Sequence, residues 1–257
     1  ETVYKEDKAG DIRKDELINL KSLQDYLIQK LNISSNLELL QYPSGYSNLT
    51  YLIKTGDKEM VLRRPPHGAN VKSGHDMSRE FKILSALKGH FSKAPLPLIF
   101  CEDKTIIGDE FYIMEKVNGT IFRGSQPKSE WPKPNIMPSL VESFIKTFSE
   151  IHSLDLKQIG LQDFGRPQGY VVRQVKGWIK RYNNAKTDEF NGINKTIDWL
   201  SENIPDNLES CLIHNDFKFD NLIFKIDKKV CVSAVLDWEM ATLGDPLMDL
   251  GTSLGYW

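Results

Sequence analysis

Cysteine is scarce in this chain. Only Cys101, Cys211 and Cys231 occur, none in a C-x-x-C pair, and an odd count cannot complete a disulfide framework. All three stand beside apolar residues, which predicts buried thiols in a reducing, cytoplasmic setting. Long hydrophobic runs are lacking too. No segment approaches the roughly 20 apolar residues that a bilayer-spanning helix needs. The charged opening ETVYKEDKAGDIRKDE has no signal-peptide core, so no membrane partner is predicted. An excess of one charge is missing: 33 Lys and Arg against 35 Asp and Glu leave −2, which predicts no nucleic-acid partner. Neither G-x-G-x-x-G nor a Walker A sequence occurs, which excludes the usual glycine-rich phosphate fingerprints. No internal repeat is present, and nothing in the totals fixes an oligomeric state. His67, His75, His90 and His152 are dispersed without metal-ligand spacing and read as surface or capping residues.

What is present is enough for a sizeable core: 257 residues, 40% hydrophobic and 26% charged. A helical pattern starts at Asp15, with Leu17, Leu20, Leu23, Leu27 and Leu31 at helical spacing, and stops at Asn32. Strand patterns cover Leu37–Tyr42, Asn48–Lys54 and Glu59–Arg64, the last two joined by the turn Gly56-Asp57. Residues 75–88 read as an amphipathic helix, and Leu98–Cys101 and Phe111–Val117 as two more strands. Beyond Asn118-Gly119 the character changes. Helical patterns fill 138–153, 170–183 and 193–203, and the polar stretch 121–135 reads as a mobile connection. The spacing thus predicts a small sheet-rich lobe, 1–117, and a larger, mostly helical lobe, 118–257. A cleft between lobes is a common ligand position.

The stretch LIHNDFKFDNLIF, residues 212–224, puts His214, Asp216, Lys218 and Asn221 between two apolar runs. A second polar segment, VSAVLDWEMATLG, places Asp237 and Glu239 just past an apolar strand. A hairpin over 222–236 would bring Asn221 and Asp237 together at its open end. An amide oxygen and a carboxylate aimed at one point suit Mg²⁺, a hard cation that keeps waters for bound phosphates. Asp216 could then accept the proton of an attacking hydroxyl, and Lys218 could offset charge on a transferring phosphate. Asp245, ahead of Pro246, reads as the cap of a helix. The bland alternative for the loop is a solvated polar turn.

H-x-D-x-x-x-x-N followed by an Asp after a strand resembles the catalytic and metal motifs of the kinase fold. With Leu236-Asp237-Trp238-Glu239, Gly244-Asp245-Pro246 and Asp249-Leu250, the pattern is similar to the aminoglycoside phosphotransferase family. GYSNLTY, VLRRPP, HDMSREF and LDWEMATLGDPLMDLG, with the ending GYW, are most similar to the branch whose kinase-like domain can be fused to acyl-CoA dehydrogenases. The likeness covers about residues 15 to 257. It implies an α+β, two-lobed protein-kinase-like fold and ATP- and Mg²⁺-dependent transfer of the γ-phosphate to a hydroxyl of a small-molecule acceptor. In that branch a hydroxyacyl-CoA is the acceptor of greatest interest.

The resemblance also implies roles. Gly45, Ser47 and Asn48 lie in the loop that would cover the phosphates. Arg63 stands where kinases carry a phosphate-binding Lys, with Glu80 as its acidic partner; a planar fork in place of a point charge is a departure from the pattern. Met114, Glu115 and Val117 would form the hinge that holds the purine, the last two through their backbone. His214 would organise the loop, and Asp249 would brace it. Asn215 stands where protein kinases carry Arg, and neither D-F-G nor A-P-E is present, which disfavours a protein kinase. Arg173, with Trp178, Lys180 and Arg181, forms a basic aromatic helix face. Inward packing is the plainer reading of that face, and a subsite for an anionic acceptor the sharper one. A catalytically silent nucleotide- or partner-binding module is the alternative function, kept open by Arg at position 63.

Overall fold

The computed structural model describes residues 4, 6–33, 36–43, 48–66, 76–205 and 210–256. The first helix, α1 (Leu20–Leu31), begins later than its leucine spacing suggests. The Asn19 side chain accepts a hydrogen bond from the Ser22 N–H at 3.1 Å, and Asn19 itself is extended, so the helix can start no earlier. Lys14–Glu16 form a separate 3₁₀ turn, and Leu17 is exposed. Leu23 and Leu27 are fully buried.

The strands β1 (Leu37–Gln41), β2 (Leu49–Thr55) and β3 (Lys58–Arg64) follow. After them come the helix α2 (Met77–Leu87) and the strands β4 (Pro97–Cys101) and β5 (Phe111–Glu115). The strands form one antiparallel sheet in the order β1-β2-β3-β5-β4. Gly56, at φ 57°, makes the tight β2–β3 turn that its sequence predicts. Alternation along the strands sends Tyr51, Ile53, Met60, Leu62, Phe111 and Ile113 into a core shared with Leu23 and Leu27 of α1. Arg63 is out of phase with that core and sits opposite Tyr112 across β3 and β5. The Asp76 side chain caps α2 by accepting from the Arg79 N–H at 2.9 Å.

The chain continues through the helices α3 (Met137–His152), α4 (Tyr170–Ala185) and α5 (Ile193–Glu202). The strands β6 (Cys211–Ile213), β7 (Leu222–Ile226), β8 (Val230–Val235) and β9 (Thr242–Gly244) precede α6 (Pro246–Leu254). Two compact units result: Glu1–Ser149 with Lys218–Met240, and Glu150–Phe217 with Ala241–Trp257. This grouping differs from a division at 117–118, and hydrogen bonds explain it. Thr120 and Phe224 exchange backbone bonds at 2.9 and 2.8 Å, and the Val235 N–H donates to the Lys93 carbonyl at 2.7 Å. The β7–β8 hairpin is thereby tied to the sheet-bearing unit. The stretch 121–135 folds into turns instead of running free: Arg123 binds Asp7 and donates to the Asp220 carbonyl at 3.3 Å.

In the second unit β6 pairs with β9, a three-residue strand that no alternation in the sequence announces. The basic aromatic face of α4 does not pack inward as expected. Its buried residues are Tyr170 and Val171, and Trp178 is 62% exposed with the Arg181 guanidinium 4.7 Å above its ring. Cys101 and Cys211 are buried and Cys231 half-buried, all three as free thiols. Among the described residues no helix is long and apolar enough to cross a membrane.

Candidate functional site

Within the first unit, charged side chains from three separate segments meet, with the Asn48 amide beside them. Arg63, on β3, is buried. Its Nη2 donates to Asp237 Oδ1 at 2.8 Å and lies 3.9 Å from Glu239 Oε2. Its Nε faces Glu80 Oε2, on α2, at 3.5 Å without hydrogen-bond geometry, so that attraction is Coulombic. The other Glu80 oxygen accepts from the Trp238 N–H at 3.2 Å, which ties α2 to the segment carrying Asp237 and Glu239. Asn48, buried at the start of β2, donates to Glu239.

Burial opposes the charge on Arg63, but Glu80, Tyr112 and Asp237 outweigh it and hold the guanidinium protonated, well above its ordinary range. Burial pushes the Glu80 carboxyl up; Arg63 pulls it back and Asp237 adds to the rise. Burial, then Glu80, pushes the Tyr112 phenol far up, so it stays neutral.

The β7–β8 hairpin sets the register of the remaining pair. Leu222 lies opposite Val235, and the Leu236 N–H donates to the Asn221 carbonyl at 2.8 Å, so Asn221 and Asp237 flank the hairpin's open end. Asp237 adopts φ 66°, a left-handed conformation costly for a non-glycine residue and common at functional sites. Lys218, half-buried, precedes the 3₁₀ turn Phe219–Asn221, and its carbonyl accepts from the Asn221 N–H at 3.0 Å.

These residues fit a hard divalent cation. Among the described residues no group of three His, Cys, Asp or Glu side chains could hold a metal; the oxygen donors near Arg63 and the hairpin end are the mixed set Asn221, Asp237 and Glu239. One nitrogen of Arg63 lies within 4 Å of both carboxylates. The two acids thus share one cationic neighbour, and oxygen-only donors of this kind suit Mg²⁺.

The second unit carries the other half of the loop motif. The strand β6 buries Leu212 and Ile213, and the chain then turns through Asn215 at φ 64°, a conformation asparagine tolerates. Asp249, fully buried on α6, accepts from the His214 N–H at 2.9 Å and the Asn215 N–H at 2.7 Å. His152 Nε2 lies 2.9 Å from the same carboxylate, which can only accept. His214 Nδ1 accepts from the Asp216 N–H at 3.3 Å, and Tyr170 donates to the Asn215 side chain at 3.2 Å. The Tyr256 hydroxyl donates to Asp216 Oδ1 at 2.6 Å. Asp245 caps α6 by accepting from the Leu247 N–H at 2.8 Å, with Pro246 at the first helical position. Burial, then Asp249 and Asp245, push the neighbouring Cys211 thiol up to about 12.

Of the residues singled out in the sequence, Asn48, Arg63, Glu80, Asp237 and Glu239 meet in one cluster, with Asn221 at the adjoining hairpin end. Gly45 and Ser47 lie outside the described residues. Met114 is buried on β5; at its end Glu115 commits its N–H to the Leu96 carbonyl at 2.9 Å and its side chain to the Leu96 N–H at 2.9 Å. Val117 packs beside Ile121 and Ile223. Arg173 is turned onto the Gln168 and Arg166 carbonyls and anchors the approach to α4. His152 and Tyr256 carry structure that sequence reasoning missed. His152 stands out by no spacing, and Tyr256 lies in the GYW ending, which carried a likeness but no role.

Residues 38–257 match the model of a phosphotransferase enzyme family. Acyl-CoA dehydrogenase family member 11 of Gallus gallus is 37% identical over 97% of this chain, and a probable acyl-CoA dehydrogenase of Arabidopsis thaliana, IBR3, is 35% identical over 85% of it. The chain spans about a third of those curated relatives, 33% and 28% of their lengths. A solved structure from Ralstonia eutropha, described as an aminoglycoside phosphotransferase, has a TM-score of 0.80 at 30% identity, covering 94% of this chain and 70% of that one. A thermostable aminoglycoside phosphotransferase in ternary complex with ADP and hygromycin B has a TM-score of 0.61 at 19% identity, covering 90% and 75%. The α+β architecture is thus the kinase-like fold of the aminoglycoside phosphotransferases.

Proposed function

The chain belongs to the phosphotransferase enzyme family, and on that premise we propose that it is an ATP- and Mg²⁺-dependent kinase acting on a hydroxyl of a small molecule. The observation that carries this reading is the convergence of Glu80, Asp237 and Glu239, from two separate segments, on the buried Arg63 of a third. A structural ion pair needs two partners; a cation facing three acids, with Asp237 beside Asn221 at the hairpin's open end, has the composition of a metal–phosphate site.

In this reading Asn221 and Asp237 hold Mg²⁺, with Glu239 assisting. When bound, the ion neutralises charge on the β- and γ-phosphates. Arg63 then exchanges its contact with Asp237 for phosphate oxygens, while Glu80 keeps it oriented. Lys218 offsets charge on the transferring group. Gly45, Ser47 and Asn48 would supply backbone and hydroxyl donors to the phosphates. Met114 packs near the purine, and the backbone of Glu115 and Val117 binds its edge. Because the Glu115 N–H is committed to Leu96, Val117 supplies the donor. Asp216 orients the acceptor hydroxyl and takes its proton as the oxygen attacks the γ-phosphorus; ADP leaves.

For the acceptor we propose a hydroxyacyl-CoA, on the strength of relatives named for acyl-CoA dehydrogenation. Arg173 would hold its anionic part only by giving up the carbonyls it now binds. A second reading, a catalytically silent nucleotide-binding module, is favoured by the Arg63–Asp237 pair, which occupies a metal carboxylate with the chain's own cation.

The test is ADP release from ATP and Mg²⁺ against a panel of hydroxyacyl-CoAs, aminoglycosides, amino alcohols and sugars, with Asp216→Ala as control. Acceptor-stimulated turnover lost in the variant is expected. Binding of Mg²⁺-ATP without turnover on any acceptor would replace the kinase by the silent module. Neither binding nor turnover would overturn both.

A further inference from the structure

Asp216 is held both at its main chain and at its carboxylate. Its backbone N–H donates to His214 Nδ1, and its Oδ1 accepts the Tyr256 hydroxyl at 2.6 Å. Tyr256 is more than half exposed and lies just past α6, whose Asp249 also grips the backbone of His214 and Asn215. Asp249 and Tyr256 are seven residues apart, about two helical turns. The same short helix and its C-terminal turn therefore fix the loop's main chain at one end and its carboxylate at the other.

We propose that Tyr256 is a positioning residue for phosphoryl transfer: its hydroxyl, on Oδ1, orients the Asp216 carboxylate toward the acceptor hydroxyl. This rests on Asp216 being the base. A phenol suits the task because it donates one hydrogen bond and brings no charge. Lys or Arg in its place would neutralise the carboxylate that must accept a proton. A base free to rotate loses near-attack geometry, and a displacement near 1 Å costs about a hundredfold in rate.

The experiment compares wild type, Tyr256→Phe, Tyr256→Ala and Asp216→Ala in the full chain. Turnover is measured with ATP, Mg²⁺ and 3-hydroxybutyryl-CoA, and also without acceptor, where water takes the phosphoryl group. The expected result is a fall in kcat of about ten- to a hundredfold for both Tyr256 variants, with the KM for ATP unchanged. The thermal midpoint of Tyr256→Phe should match wild type, because the ring is retained. Phe acting like wild type while Ala fails would assign the effect to ring packing and overturn the proposal. Faster turnover in Tyr256→Phe would mean the phenol blocks the base, with the same consequence. A readout independent of turnover is the ¹³C carboxyl resonance of Asp216 in aspartate-labelled protein. It should move in Tyr256→Phe, and an unmoved resonance would overturn the contact itself. Wild-type turnover no higher than that of Asp216→Ala, with a resonance that does move, would instead sink the assignment of Asp216 as base, and the positioning role with it.

Discussion

Replacing Asp249 tests the loop's architecture most directly. The carboxylate is fully buried and accepts from two backbone N–H groups, at 2.9 and 2.7 Å, and from His152 at 2.9 Å. Asp249→Ala removes the acceptor that those donors share. Each unpaired N–H costs about 1–3 kcal/mol, so the two together cost on the order of 2–6 kcal/mol before any loss at His152. Domain stability is only about 5–15 kcal/mol, so the variant should sit near its unfolding threshold at 37 °C. Asp249→Asn keeps one oxygen and turns an NH₂ toward the second N–H, so it should lose about half as much or slightly more. Urea unfolding followed by tryptophan fluorescence gives the total. Amide exchange at His214 and Asn215 gives the local part, and should speed up in both variants. A loss below about 1 kcal/mol for Asp249→Ala, with both amides still protected, would refute the bracing role.

Three further outcomes follow from the geometry. Arg63→Ala removes the cation between Glu80 and Asp237 and leaves a buried carboxylate uncompensated, at a cost of about 3–5 kcal/mol; Arg63→Lys, which keeps the charge but loses the fork, should fall between, and an Ala variant within about 1 kcal/mol of wild type in urea would contradict the cluster. Gly119→Ala forces a side chain onto φ 150° with its Cβ 2.6 Å from the Phe224 carbonyl oxygen, so it should destabilise by about 2–6 kcal/mol; an unchanged thermal midpoint would show that the Thr120–Phe224 bridge yields freely. The Cys211 thiol, held up to about 12, stays protonated in the folded chain while an unfolded thiol ionises near 9, so its contribution to stability is full below pH 9 and is lost as pH rises from 9 towards 12. Iodoacetamide at about pH 8.5 should accordingly label half-buried Cys231 well before Cys211, and equal rates would refute that burial.

Residue order alone carried the strands and helices whose cues are local. The leucine spacing of α1, the Gly56 turn, the Asp245-Pro246 start of α6 and the alternation in β2 and β3 each act within a few residues, so each is legible without the fold. The candidate chemistry was legible for the same reason, because Asp216, Lys218 and Asn221 share one loop and Asp237 and Glu239 another. Tertiary structure decided what depends on distance in the chain. Asn48 meets Glu239 across 191 positions and Arg63 meets Asp237 across 174, and no periodicity encodes such pairings. The strand β9 exists only because β6 offers it backbone partners, and the β7–β8 hairpin joins the sheet-bearing unit through the Thr120–Phe224 and Lys93–Val235 bonds. His152 and Tyr256 acquire meaning in the same way: an imidazole and a phenol have many uses, and only the carboxylates folded against them, Asp249 and Asp216, select one.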